Sequence, residues 1–203
     1  MTVERAPEVL VVEPRPDREL EGLLGSRAAS ALRVQLYEQA TALASRVGQG
    51  RVHRASPGTA LSDAVRRIHG VLEPPAGPAS PIGPLIVLWP ELIRLDDRHV
   101  AGALEDLQTG ADVVFGPVVD GGLYLLGLRG PLSNLLERLD EALAAKDPGA
   151  LGLAAASELG LEIGLLRVER GLRTVADLEA AVADPSTPEA LRRILSKSLP
   201  PQR

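Results

Sequence analysis

Residues 85–128, LIVLWPELIRLDDRHVAGALEDLQTGADVVFGPVVDGGLYLLGL, contain the pattern that decides the fold. LIVLW is a continuous apolar run of strand length, as expected for a strand that is covered on both faces. The segment 96–110 has apolar side chains at helical spacing and ends at a glycine, which predicts a helix capped by Asp96 and Asp97. A second apolar run follows at 111–128, so strand, helix and strand alternate as in a βαβ unit.

The same alternation of short apolar runs and amphipathic segments extends over the rest of the chain. It predicts an α/β fold, a three-layer α/β/α sandwich with a mostly parallel central sheet. Ser26 is predicted to cap the helix that begins there. Further strands are predicted at 8–12, 51–56 and 161–168, and further helices at 26–47, 59–72, 131–160 with a break near 147–149, 174–183 and 187–198.

The length of 203 residues fits one domain over residues 1–203. We expect flexible tails at about 1–6 and 199–203. Successive prolines predict a loop at 73–84, because proline cannot donate a backbone hydrogen bond to a helix or a central strand.

Composition argues against several classes of protein. The chain has no cysteine, which excludes disulfides, thiolate metal sites and a cysteine nucleophile. A formal net charge of -5 at pH 7, with both signs interspersed, argues against a nucleic-acid partner. His53, His69 and His99 lack the spacing of metal ligands. Without a long apolar segment or a signal-peptide pattern, we expect no membrane span and a cytoplasmic location.

Asp120-Gly121-Gly122 interrupts the last apolar run and has two interpretations. Asp-Gly between apolar runs is typical of a hairpin turn, and the local pattern favours this interpretation. Alternatively, the glycines let the backbone approach a ligand closely. Asp120 would then accept hydrogen bonds from sugar hydroxyls or help to hold a divalent ion.

The segment GPVVDGGLYLLGL, residues 116–128, matches a GPxxDGGYYLLGL-like motif. On this motif, the chain resembles a bacterial glycosyltransferase-like family of the GT-A superfamily of nucleotide-diphospho-sugar transferases, which is related to cofactor guanylyltransferases. The resemblance implies a pocket formed by the loops after Val12, Leu88 and Phe115. It implies that Asp120 is a catalytic residue at the sugar or acceptor. The implied substrate-binding residues are Pro90, Glu91, Gly116, Gly121 and Gly122, and the implied phosphate-binding residues are Arg15 and Arg18.

Three departures from that family concern metal and phosphate chemistry. Leu88 and Trp89 stand where the family has a metal-binding Asp and a Cys. The segment 13–25, EPRPDRELEGLLG, lacks the family's Lys-Thr-Arg loop. In GLRTVADL, residues 171–178, Gly171 and Arg173 replace two acids. The sequence therefore predicts no metal ligand, and Mg²⁺ or Mn²⁺ would be needed only in an active enzyme.

Two hypotheses about function remain open. The first is a degenerate glycosyltransferase- or nucleotidyltransferase-like protein that binds a nucleotide or nucleotide-sugar. The second is a non-catalytic scaffold on the same fold, which senses a ligand or binds a partner protein. The sequence does not decide between them, and it leaves the oligomeric state undetermined.

Overall fold

A computed structural model describes residues 6–69, 83–145 and 147–199. The tails expected at 1–6 and 199–203 and the proline-rich loop at 73–84 lie almost entirely outside these residues. The end of the helix expected at 59–72 also lies outside them. The single domain over residues 1–203 stays a prediction.

The described residues form a six-stranded sheet in the order β2-β1-β3-β5-β4-β6. Only β5 runs antiparallel to its two neighbours, β3 and β4, and every other pair of strands is parallel. The mostly parallel sheet predicted from the sequence is therefore confirmed. The strands are β1 (Glu8–Val12), β2 (Val52–Ala55), β3 (Leu85–Leu88), β4 (Val113–Pro117), β5 (Leu123–Leu128) and β6 (Ile163–Leu165).

Helices cover both faces of the sheet, which confirms the three-layer sandwich. Within the described residues they are α1 (Arg18–Leu24), α2 (Ser26–Val47), α3 (Leu61–His69), α4 (Asp97–Thr109), α5 (Ser133–Leu143), α6 (Pro148–Glu158), α7 (Val175–Ala183) and α8 (Glu189–Ser198). Side chains alternate between the faces of a strand. Leu10 and Phe115 thus pack with α3, α5 and α6, whereas Val9 and Leu88 pack with α2 and α4. A third apolar cluster joins α1, α2, α7 and α8.

The start of α2 differs from the prediction. Gly25, with φ +78°, is the residue before the helix, and no side chain caps α2. Ser26 is already the first helical residue, so its predicted capping role is wrong. The physical reason is α1, a short helix that the sequence analysis missed. It is capped by the Asp17 side chain and ends at Gly25, whose left-handed backbone leads directly into α2.

The start of α4 agrees with the prediction. Asp96 accepts a hydrogen bond from the Arg98 amide at 3.0 Å. The His99 imidazole Nδ1 accepts one in return from the Asp96 amide at 3.2 Å. Asp97 is the first residue of the helix and forms an exposed ion pair with Arg46. The two acids therefore stabilise the helix start, as expected.

A tight turn joins β4 to the antiparallel β5. The Gly121 amide donates to the Val118 carbonyl at 2.9 Å, and the Val118 amide donates to the Gly122 carbonyl at 2.9 Å. Gly121 has φ +90°, a conformation that glycine adopts without strain. The hairpin interpretation of Asp-Gly-Gly is thus confirmed. Separately, no helix in the described part of the chain is long and apolar enough to cross a membrane.

Candidate functional site

A cleft of about 710 Å³ opens where β1 and β3 end at their carboxyl termini. In open α/β sheets this edge of the sheet is the usual place for a ligand. The cleft is lined by the segments that follow β1 and β3, as the sequence analysis predicted. Four other parts of the chain also line the cleft: Gly122 at the end of the hairpin turn, Thr59 before α3, Ala145 between α5 and α6, and Arg173 before α7. Arg15 and Trp89 represent the segments after β1 and β3.

Trp89 supplies an aromatic surface in the cleft. Its backbone amide donates to the Tyr124 carbonyl at 3.0 Å, which extends the pairing of β3 with β5 by one residue. The indole is half-buried and packs against the apolar core on the α3, α5 and α6 side of the sheet. The tryptophan therefore packs at the edge of the core and also lines the cleft.

Three ionisable side chains, from Glu91, Asp120 and Arg173, lie close together at the cleft. The Arg173 Nε lies 2.6 Å from Asp120 Oδ2, and Arg173 Nη2 lies 3.9 Å from Glu91 Oε2. The guanidinium thus stands between two carboxylates from different loops. Arg173 and Glu91 line the cleft, whereas Asp120 lies behind Arg173 on the hairpin turn.

Glu91 has a strongly perturbed acidity. Burial raises the pKa of its carboxyl from an ordinary 4.5 to about 7. The Arg173 charge opposes this rise in pKa, while the Asp120 and Asp17 charges add to it. The side chain keeps 37% of its accessible surface and lines the cleft. A perturbed carboxyl in a cleft is typical of a functional site.

Glycines hold the hairpin turn close to its surroundings. A Cβ on Gly121 would lie 2.7 Å from Asp147 Oδ1, and one on Gly122 would lie 2.8 Å from Glu91 Oε2. A Cβ on Gly171 would lie 2.9 Å from Val118 Cγ1. The amide of Gly149, near the start of α6, donates to the Gly121 carbonyl at 2.8 Å. Only residues without side chains let the turn pack this closely, so Asp120 has a fixed position.

Arg15 and Arg18 line the outer part of the cleft and are exposed. Across residues 6–69, 83–145 and 147–199, neither guanidinium forms an ion pair or hydrogen bond. Two acids of the same cleft are already engaged with the backbone. Asp17 accepts from the Glu19 and Leu20 amides, and Asp140 accepts from the Leu61 and Ser62 amides at the start of α3. The two arginines are therefore available to an anionic ligand.

The structure places the predicted site residues in three groups. Arg15, Arg18, Pro90, Glu91 and Gly122 line the cleft. Asp120 and Gly121 sit behind it, with Asp120 linked to the cleft by Arg173. The third group is Gly116 alone.

Gly116 does not line the cleft, and its prediction as a substrate contact needs correction. It is buried in β4, where a Cβ would lie 2.7 Å from the Tyr124 ring. This glycine makes room for an aromatic side chain in the core. The sequence analysis also missed Arg173 and Trp89 as site residues, since both were noted only as departures from a family pattern.

The donor set does not fit a divalent cation. Mg²⁺ and Mn²⁺ require several oxygen ligands. Leu88 is fully buried and offers none, and Asp120 is paired with Arg173. In the part of the chain that the structure describes, no group of three or more histidine, cysteine or acidic side chains could hold a metal ion.

The fold is that of the nucleotide-diphospho-sugar transferases. The structure of a protein named as a candidate nucleotide-diphospho-sugar transferase from Desulfovibrio desulfuricans superposes with a TM-score of 0.67 and 19% identity, covering 94% of this chain and 95% of that chain. A 4-diphosphocytidyl-2C-methyl-D-erythritol synthase from Anaerococcus prevotii gives a TM-score of 0.45 and 9% identity over 86% of this chain and 95% of that one.

Residues 22–141 match DUF2064, a family described as uncharacterised proteins conserved in bacteria. The match spans more than half of the chain, and the chain belongs to this family. Among curated proteins, none matches the sequence.

Proposed function

We propose that the protein binds a nucleotide or nucleotide-sugar in the cleft and that it does so without a divalent cation. The observation that carries the proposal is the position of Arg15, Arg18 and Arg173 around one cleft at the carboxyl ends of β1 and β3. The cleft volume of about 710 Å³ lies within the range of small-molecule sites.

Phosphate groups are the part of the ligand that this cleft recognises best. A guanidinium offers a planar fork of donors that matches phosphate oxygens, and it stays charged at any ordinary pH. Arg15 and Arg18 have no intramolecular partner among the described residues, so a diphosphate would not have to displace one. Asp17 and Asp140 are held by backbone amides, whereas the Arg15 and Arg18 side chains are exposed in the same cleft.

Trp89 is the surface for the uncharged part of the ligand. A flat aromatic face packs against a base or against the apolar face of a sugar ring. Pro90 and Gly122 border the same region of the cleft. Glu91 lies next to them and would contact a ligand hydroxyl, either as an acceptor or, when protonated, as a donor.

We expect glycosyl or nucleotidyl transfer activity in this protein to be weak or lost. In such transfers the electrostatic stabilisation of the diphosphate is a dominant contribution, and a divalent ion commonly supplies it. Here Leu88 supplies no ligand and the Asp120 carboxylate is already neutralised by Arg173. Asp120 would act on the ligand through Arg173 and not as a catalytic base.

Calorimetric titration with nucleoside diphosphates, nucleoside triphosphates and nucleotide-sugars tests the proposal, with and without Mn²⁺. We expect binding that the metal leaves unchanged. The double variant Arg15→Gln/Arg18→Gln should bind at least about ten-fold more weakly, because each charge-assisted hydrogen bond contributes about 1.5–3 kcal/mol. Arg67→Gln, an exposed arginine of α3 outside the cleft, is the matched control. Absence of binding at millimolar nucleotide would refute the proposal.

A partner-binding scaffold is the second candidate, and one specific observation favours it. Val119, Leu165 and Val168 expose 71%, 56% and 50% of their surface at the β6 edge of the sheet. Val119 and Glu169 are joined there by a backbone hydrogen bond of 2.9 Å. If every nucleotide fails to bind, co-purification and cross-linking through this edge become the next experiment, with Leu165→Lys as the variant expected to abolish the contact.

A further inference from the structure

We infer that the Arg173 guanidinium is the resident cation of the cleft, which takes the place of a divalent ion and meets the ligand phosphate directly. The ligand part of this inference rests on the proposed function, whereas the exclusion of metal does not.

The position of the guanidinium is fixed from one side by Asp120. Its Oδ2 atom lies 2.6 Å from Arg173 Nε. Asp120 sits in a turn closed by two backbone hydrogen bonds between Val118 and the glycines at 121 and 122. Gly171 brings the segment before α7 into contact with the same turn, with Val118 Cγ1 only 2.9 Å from where a Cβ would be. Asp120 is therefore a positioning residue for Arg173.

The other end of the guanidinium faces the cleft. Nη2 lies 3.9 Å from Glu91 Oε2, a distance at which the pair is attracted but makes no hydrogen bond. It also lies 3.5 Å from where a Cβ on Gly122 would be, so this glycine keeps the space open. The side chain retains 41% of its accessible surface. An arginine has five N–H donors, and those on the terminal nitrogens remain available to phosphate oxygens.

The same arrangement excludes a metal ion. Asp120 and Glu91 are the carboxylates that face this point, and a positive charge already lies between them. A divalent ion bound to these oxygens would lie within a few ångströms of the guanidinium and would be repelled by its charge. If the guanidinium were removed and a third carboxylate added, the site would bind a divalent ion instead of excluding it.

Arg173→Asp tests the inference by a gain of metal binding that needs no nucleotide. Electron paramagnetic resonance of free Mn²⁺ during titration should show about one bound ion per chain in the variant, at least ten-fold tighter than in the parent protein. Arg170→Asp is the matched control, because this neighbouring arginine pairs with Asp177 and not with the two carboxylates. Melting curves establish that each variant is folded.

Arg173→Asn is the second variant and covers a failure of Arg173→Asp to fold. Its amide oxygen should give weaker but measurable Mn²⁺ binding, again absent in Arg170→Asp. Tight Mn²⁺ binding by the parent protein, or no gain in either folded Arg173 variant, would overturn the inference.

Nucleotide titrations separate this inference from the proposed function. If the parent protein binds nucleotide only when Mn²⁺ is present, Arg173 does not replace the metal ion, although the cleft is still a nucleotide site. Gain of Mn²⁺ binding by Arg173→Asp together with no nucleotide binding by the parent protein would support the resident cation and refute the proposed function.

Discussion

Replacing Glu91 by glutamine should change how the stability of the protein depends on pH. Burial raises the pKa of the Glu91 carboxyl to about 7 in the folded protein, whereas in the unfolded chain the group has its ordinary value of about 4.5. Between these two values the folded state holds a proton that the unfolded state releases. The free energy of unfolding therefore falls as pH rises through this window, and it levels off above about pH 7.

The size of the effect follows from the pKa difference and the exposure of the group. A shift from 4.5 to about 7 would correspond to about 3 kcal/mol for a fully buried carboxyl. Glu91 keeps 37% of its side-chain surface, so solvent screening reduces this to roughly 1 kcal/mol. Glutamine has nearly the same shape and does not titrate, so Glu91→Gln should lack this part of the pH dependence.

Urea unfolding at pH 5 and pH 8 measures the effect as a difference between two proteins. From pH 5 to pH 8, Glu91→Gln should gain roughly 1 kcal/mol in stability relative to the parent protein. Groups unaffected by the substitution cancel in this comparison. Glu105→Gln, at an exposed position on α4, is the control and should show no such gain. Equal pH dependence of Glu91→Gln and the parent protein would refute the proposal that the partly buried Glu91 carboxyl holds a proton in the folded state.

Two pairs of substitutions test the packing around Gly116 and the start of α4. Gly116→Ala should lower the free energy of unfolding by about 1–3 kcal/mol, because its Cβ would lie 2.7 Å from the Tyr124 ring in a closed core. Gly22→Ala, where the Cβ meets nothing within 4 Å in α1, should instead stabilise the protein by about 0.5–1 kcal/mol. An equal response of the two variants in chemical denaturation would contradict the packing argument.

Asp96→Ala should cost about 1 kcal/mol of stability through loss of the α4 cap. Thermal melting should show a smaller loss for Asp97→Ala, whose exposed ion pair with Arg46 contributes little.

The sheet could be predicted from the sequence wherever a strand is buried on both faces. β3 and β5 are continuous apolar runs, and all their residues are buried in the structure. β6 is shorter than the predicted segment 161–168, because only three of its residues pair with β4. The strand order could not be predicted, since insertion of β5 between β3 and β4 depends on contacts between distant segments.

Helices with a clear apolar period were predicted, and the shortest helix was not. α1 has seven residues, too few for its apolar spacing to stand out beside Pro14 and Pro16. Missing α1 also led to the wrong cap at Ser26. The local signal for the start of α1 was Asp17, followed three residues later by Leu20. An aspartate before an apolar pattern is typical of a helix start.

The candidate site was predictable as a region but not as a set of contacts. The cleft lies after β1 and β3, as the fold class predicts. The pairing of Asp120 with Arg173 joins positions more than fifty residues apart along the sequence, and no local pattern encodes it. The available signal was the pair of glycines next to Asp120 together with Gly171, since each glycine marks a place where two chain segments pack closely.

The central position of β5 has a consequence for synthesis on the ribosome. β3 can pair with β1 once residue 88 has emerged, but its second edge pairs with β5, residues 123–128, which are synthesised later. Until then Leu85, Ile86, Val87 and Leu88 form an open apolar edge, the kind of surface at which unfinished chains associate. Some forty residues, including α4 and β4, are therefore synthesised between the two pairings of β3, and during that interval its open edge favours association of the nascent chain.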